Sequence, residues 1–279
     1  MRLSKDIIFD HPHDRPLAEL DVGTSDLRLA ISLALLMAAL TQLVFGSMLG
    51  LDDANITMNY AENIANGHGY VYYVGGERVE GSTSPLWTAI NVIPFLIGAP
   101  VEVWLAVVGL TISIGVILSA FGIARLAAGA VNAPVEQVRI IVSILFVASP
   151  ALFGWTVWSY MDIGLWVLLC SLMFLTSLDG LQSGGLDGRR MVFLSATLVL
   201  CRPEGLVFSC LFAAYLALSL LFRGDYRALK TPIFMVVAAL VVFCGLVAIR
   251  MQYFGYPLPN TFYAKTSTDF ADPFDLGLK

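Results

Sequence analysis

The sequence predicts an all-α polytopic membrane protein: a bundle of transmembrane helices with one large polar loop after the first of them. Three observations predict it. Hydrophobic residues make up 58% of the chain and charged residues 13%, against about 25% charged in soluble domains; the mean hydropathy is +0.79. Uncharged runs close to the ~20 residues of a membrane-crossing helix recur at 29–51, 103–124, 140–161 and 231–249. These runs are continuously apolar, without the alternation over ~10 positions that marks barrel strands.

Each element follows from its local pattern. Residues 1–28 are polar, with charges of both signs, and read as a cytoplasmic N-terminal segment. The 29–51 run is too long and too late for a secretory leader, so it is a retained anchor. Shorter apolar runs at 163–178 and 205–222 add helices. The 81–101 stretch carries Pro85, Pro94 and Pro100, and the 191–201 stretch stops at Arg202-Pro203. Prolines break the helical ladder, so 81–101 is expected to be re-entrant or partial. Residues 191–222 are expected to form a helical hairpin or broken helix with Arg202-Pro203-Glu204 at its turn. Cys170, Cys201, Cys210 and Cys244 all fall in apolar stretches with no CxxC spacing. They read as small hydrophobes, not as a disulfide frame or a zinc site.

Charge is distributed unevenly. Basic residues gather at Arg125 and Arg139, at Arg189 and Arg190, and at Arg223, Arg227 and Lys230. The positive-inside rule makes those loops cytoplasmic. The island at 51–84, the corner Trp158–Asp162, the Arg202–Glu204 break and the tail after Phe254 then share the opposite, extracytoplasmic face. That assignment requires 81–101 not to cross completely; a full crossing would put Asp162 inside. The island itself holds five acids, Asp52, Asp53, Glu62, Glu77 and Glu80, against Arg78 alone up to residue 80. An acidic loop does not suit nucleic acid, which is bound by basic surface. It suits a hydroxyl-bearing acceptor or a divalent cation. No G-x-G-x-x-G or P-loop offers a nucleotide site.

The island carries the strongest chemical signal. Asp52 and Asp53 stand together at the end of an uncharged run, and ionisable residues at membrane depth tend to be functional. One of them also suits a helix start, where a carboxylate meets backbone N–H groups. Ile56, Tyr60 and Ile64 then fall on one face of an amphipathic helix over 53–66. Glycines at 67, 69, 75, 76 and 81 mark tight turns, with Tyr70–Val74 between them as a short strand or extended edge. His68 is either a surface-loop residue or a general acid or metal ligand. Glu80 either caps the Ser-Thr-Ser-Pro helix start or faces the acidic pair across a cavity. Arg202 either grips a phosphate or pairs internally with Glu204 to brace the kink. Asp162, among Trp155, Trp158 and Tyr160, needs a partner; the aromatic residues suit an interfacial belt. Lys265 and Asn260 follow the last apolar run.

Taken in order, these islands resemble a family. DDANITMNYAENIANGHGYVYYVGGERVEGSTSPLW at 52–87 looks like the first extracytoplasmic loop of GT-C membrane glycosyltransferases, closest to the terminal arabinofuranosyltransferase (AftB-like) group. CRPEG at 201–205 and YPLPNTFYAK at 256–265 are similar to that group's later motifs. SYMD at 159–162 departs from the Gly-Leu/Met-Glu usual at that place. The resemblance spans 29–265, read as a GT-C-like transmembrane domain with 51–84 as its first extracytoplasmic loop, and leaves 266–279 as a polar tail. Members of the group are generally longer. The chain is therefore expected to be a fragment, or half of an enzyme completed by a C-terminal half or partner subunit.

The resemblance implies an enzyme of the cell membrane that takes a sugar, such as arabinofuranose, from a polyprenyl phosphate to a glycan acceptor on the outer face. Asp52 or Asp53 would act as catalytic base, and either could hold a divalent cation. The substrate-binding candidates are Tyr60, Asn63, His68, Glu80, Trp87, Asp162, Arg202, Glu204, Asn260 and Lys265, with Tyr72 and Tyr73 as further stacking surfaces. Two other classes stay open: a transporter or flippase of a lipid-linked or polar solute, since broken helices also mark transport sites, and a non-catalytic partner subunit.

Overall fold

The structure, a computed structural model, describes residues 23–46 and 52–259, with the side chain of Asp52 outside that description. Every regular element among the described residues is helical. In order they are α1 Thr24–Phe45, α2 Asp52–Ala65, α3 Pro85–Ile97, α4 Val101–Ala130, α5 Val135–Val147, α6 Pro150–Phe153, a π-helical turn Gly154–Trp158, α7 Ile163–Ser183, α8 Gly188–Cys201, α9 Gly205–Arg223 and α10 Lys230–Tyr253. Five of them, α1, α4, α7, α9 and α10, are long and apolar enough to cross a membrane. The bent pair α5 with α6 and the π-turn, broken by 69°, makes a sixth if it counts as one span. The chain is a multi-pass helical membrane protein.

Helix starts differ from the charge-free runs by a few residues, for a physical reason. α1 begins at Thr24, five residues before the uncharged run and inside the segment read as a polar leader. Asp26 is tolerated there because Arg125 (3.2 Å) and Arg139 (3.0 Å) both pair with its buried carboxylate. That triad ties the start of α1 to the end of α4 and the start of α5.

The helices run between two chemically distinct ends. At one end lie the basic loops. Besides the Asp26 triad, Gln182 Nε2 donates to the Leu126 carbonyl, Arg223 donates to the Leu181 carbonyl, and Gly188 lies against Thr231. At the other end gather the polar island, the Ser159–Asp162 corner, the Arg202–Glu204 break and the chain after α10. Trp158 Nε1 donates to the Ala38 carbonyl (3.0 Å) and to Thr41 Oγ1 (3.1 Å), joining the π-turn to α1. Trp158 is therefore a brace as well as an aromatic residue near a bilayer edge.

Two of the broken stretches resolve into simple shapes. α3 begins and ends at the polar-island end: its Trp87 touches the 160 corner, and α4 starts three residues after the turn that follows α3, with Leu105 in the same apolar cluster as Trp87 and Tyr160. At 13 residues, or about 20 Å, α3 is shorter than the ~20 residues of a membrane-crossing helix. α8 and α9 form a tight antiparallel hairpin. Ser209 Oγ donates to the Ser195 carbonyl across it. A Cβ on Gly205 would fall 2.2 Å from the Leu198 carbonyl oxygen, so only glycine permits this approach.

Close approach also holds α4 against the π-turn and α7. A Cβ at Gly109 would meet the Thr156 carbonyl oxygen at 2.8 Å, the small-residue packing that membrane helices use. Ser113 and Thr156 hydroxyls share a hydrogen bond of 2.9 Å nearby. The expected strand at Tyr70–Val74 is absent; residues 66–75 fold as turns and bends and 76–84 run on without regular structure.

Candidate functional site

A cleft of about 430 Å³ opens at the polar-island end. α2 contributes Asp53 and Thr57 from its first turns. The strip 81–84 and Trp87 of α3 form one wall. Met161 and Asp162 come from the corner before α7, Arg202, Pro203 and Glu204 from the hairpin turn, and Leu258 and Pro259 from the segment beyond α10. Residues up to about 200 positions apart in sequence thus line one space.

The hairpin turn supplies the cation. α8 ends at Arg202, whose backbone is extended (φ −151°, ψ 147°), because Pro203 disfavours helix in the residue before it. Arg202 Nε and Nη2 donate to Asp162 Oδ2 (2.9 Å) and Oδ1 (2.6 Å), a bidentate fork. This replaces the internal Arg202–Glu204 brace considered from the sequence, and it gives Asp162 its partner. The hydrogen bonds to Asp162 raise the Arg202 pKa above its ordinary value. Among the described residues Nη1 has no hydrogen-bond partner, and the guanidinium carbon lies 6.0 Å from the centre of the Trp166 ring.

The acids split into two kinds. Asp162 is committed to Arg202. Asp53 and Glu204 line the cleft, are solvent-exposed, and their carboxylates make no hydrogen bond or ion pair with a described residue. Of the twin aspartates, Asp53 lines the cleft; the side chain of Asp52 lies outside the described residues. Among the described residues no three His, Cys, Asp or Glu side chains gather as a metal site.

Hydroxyls floor the cleft. Ser82 Oγ lies 2.8 Å from Thr88 Oγ1 and 3.4 Å from Thr57 Oγ1. Trp87 is buried in the wall, and its Nε1 donates to the Tyr160 carbonyl at 3.0 Å. Tyr160 has φ 57°, a left-handed conformation uncommon outside glycine. It stands two residues after the π-turn Gly154–Trp158, a feature often found at functional sites, and one residue before Met161 of the cleft lining; neither feature was visible in the sequence.

Behind the cleft, other candidates hold the island in shape. Glu80 neither caps α3 nor faces Asp53. It is buried against Arg250, which donates from Nε (2.7 Å) and Nη2 (3.0 Å). An isolated buried carboxylate would be costly, so Glu80 turns inward to the one cation at the end of α10. Tyr60 donates to the Val79 carbonyl (2.6 Å) and accepts from the Gly81 amide (3.0 Å). Asn63 Nδ2 spans the Val71 and Tyr72 carbonyls, each at 3.0 Å. Tyr70 donates to the Ser82 carbonyl (2.9 Å), and burial raises its pKa above the ordinary 10.0. His68, Tyr72 and Tyr73 are exposed and do not line the cleft. Asn260 and Lys265 lie outside the described residues.

Sequence reasoning missed Thr57, Ser82, Met161, Leu258 and Pro259 as cleft residues, and Arg250 as the partner of Glu80. Only Arg250 left a signal: a lone charge ending an apolar run at 249. Compared with family models, curated proteins and solved structures, the chain matches none.

Proposed function

We propose that the chain is a membrane glycosyltransferase of the GT-C type, moving a sugar from a polyprenyl-phosphate donor to a hydroxyl of a glycan acceptor. One observation carries the reading: the Asp53 carboxylate and the half-buried Arg202, whose Nη1 like that carboxylate has no partner among the described residues, share one cleft. The apolar helices below the cleft offer surface for a prenyl tail. The loop motif at 52–87 and the later CRPEG and YPLPNTFYAK segments support the same class, and arabinofuranose is the sugar their likeness suggests.

The chemistry is a single inverting displacement. Asp53 takes the proton of the acceptor hydroxyl, and that oxygen forms its bond to the anomeric carbon. The bond from that carbon to the phosphate oxygen breaks, and its electron pair leaves with the lipid phosphate. Arg202, kept cationic by Asp162, meets the departing charge. A positioned base contributes about 10²–10⁴-fold. Glu204 orients the acceptor through its hydroxyls. Arg202 is the cation that meets the leaving phosphate.

The positive-inside rule supports an extracytoplasmic cleft, because all the basic loops lie at the opposite end. Transport is less well supported: the carboxylates sit at one end, not near the midplane where transporter sites lie. The test is incubation of the purified protein with a panel of polyprenyl-phosphate sugars and a glycan acceptor, followed by linkage analysis. Product with an inverted anomeric centre is expected. Solute counterflow in proteoliposomes without any glycosyl product would replace this reading with a transporter.

A further inference from the structure

At the basic end, far from the cleft, α8 and α10 run side by side in the same direction and leave a groove of about 740 Å³ between them. Its lining has helical spacing on both sides. From α8 come Arg189, Val192, Phe193 and Ala196; from α10 come Lys230, Thr231 and Phe234. Each helix therefore presents a cation in its first turn and a phenylalanine four residues on. Four residues are about 6 Å along a helix. The groove has a charged rim and, one turn deeper, an apolar bed.

Arg189 and Lys230 are exposed, and their side chains take part in no ion pair or hydrogen bond with a described residue. The nearby acids are occupied as caps: Asp187 accepts from the Arg190 amide at 3.0 Å and Asp225 from the Ala228 amide at 3.2 Å. Phe193 and Phe234 are 68% and 58% exposed, so the bed is open toward the surrounding bilayer. Two cations without an ion-pair partner among the described residues, above an apolar trough, match one occupant, an amphiphile with an anionic head and hydrocarbon chains.

We propose that this groove binds an anionic glycerophospholipid of the leaflet at the basic end. Its phosphate sits between Arg189 and Lys230, and an acyl chain lies along Val192, Phe193, Ala196 and Phe234. Basic pockets between membrane helices hold anionic lipid head groups for this reason. The inference does not depend on the transferase reading, since it uses no residue of the cleft.

The test is native mass spectrometry of the full chain released from detergent, with dioleoylphosphatidylglycerol or dioleoylphosphatidylcholine added. The wild type is expected to retain one phosphatidylglycerol at collision energies that strip phosphatidylcholine. Removing both cations in Arg189→Gln/Lys230→Gln weakens retention roughly 30-fold, from the usual contribution of each basic side chain near an anionic head group. Arg28→Gln/Arg227→Gln removes the same charge outside the groove and leaves retention unchanged. Ala196→Trp fills the apolar bed and lowers it. Equal retention of the two lipids by the wild type overturns the proposal without recourse to any variant. Equal weakening by the two charge pairs would reduce the effect to net charge. Displacement of the lipid by inorganic phosphate would make this a site for free anions and would also overturn it.

Discussion

Arg202 and Asp162 face each other through two hydrogen bonds of 2.9 and 2.6 Å across forty residues of sequence. The pair ties the turn of the α8–α9 hairpin to the corner before α7, and it leaves one guanidinium nitrogen toward the cleft. Asp162→Ala releases Arg202 from its fork. The pair is partly open to solvent, so the stability loss is about 1–2 kcal/mol, less than for a sealed pair. A modest fall in thermal midpoint, with a much larger loss of transfer, is the expected result. Asp162→Asn keeps one acceptor and falls between.

Glu80 and Arg250 make the contrasting case. Both are buried, and the bond joins the island to the end of α10. Breaking it from one side, by Glu80→Gln or Arg250→Met, leaves an uncompensated buried group and costs about 3–5 kcal/mol. The double variant Glu80→Leu/Arg250→Met restores most of that stability, because it removes both charges. Limited proteolysis of the 66–84 loop reads the same difference: rapid cleavage in the single variants, protection in the double one.

The Asp53 carboxylate has no partner among the described residues; only its main-chain carbonyl accepts, from Thr57 Oγ1. Asp53→Asn therefore leaves folding and the melting curve unchanged and lowers transfer by about 10²–10⁴-fold. Asp52→Asn, run in parallel, separates the two aspartates. Full transfer by the Asp53 variant would remove it as the base.

Gly205→Ala places a methyl where the Leu198 carbonyl already stands. Backbone cannot rotate away, so the hairpin opens at a cost of about 3 kcal/mol or more. Gly129→Ala, on an exposed turn of α4 with nothing within 4 Å of the new Cβ, gains about 0.5–1 kcal/mol from helix propensity. Thermal unfolding of the two variants in the same detergent is expected to shift in opposite directions.

Tyr70 gives the fold an alkaline limit. Burial raises its pKa above 10.0, so the neutral phenol is the form the fold favours. Its contribution is fully present below pH ~10, the unfolded value, and is lost as pH rises through the folded value. Absorbance titration is expected to show a late phenolate step that coincides with loss of structure. Tyr70→Phe removes that step and the bond to the Ser82 carbonyl.

The sequence by itself determined the helices and their grouping. Length and continuity of apolar runs are local properties, so 103–124 and 231–249 became α4 and α10 with small changes at the ends. Proline placement foretold that α3 would be shorter than a crossing helix and that α8 would stop at Arg202. Alternation of basic and acidic loops was enough to put Asp53, Asp162 and Arg202 at one end. Tertiary structure alone decided who pairs with whom. Glu80 could have reached several cations by composition; it meets Arg250, 170 residues away, because α10 rises beside the island. The left-handed backbone at Tyr160 and the π-turn before it are recorded by no residue pattern. Partner choice is a property of helix neighbours, and neighbours exist only once the bundle is assembled.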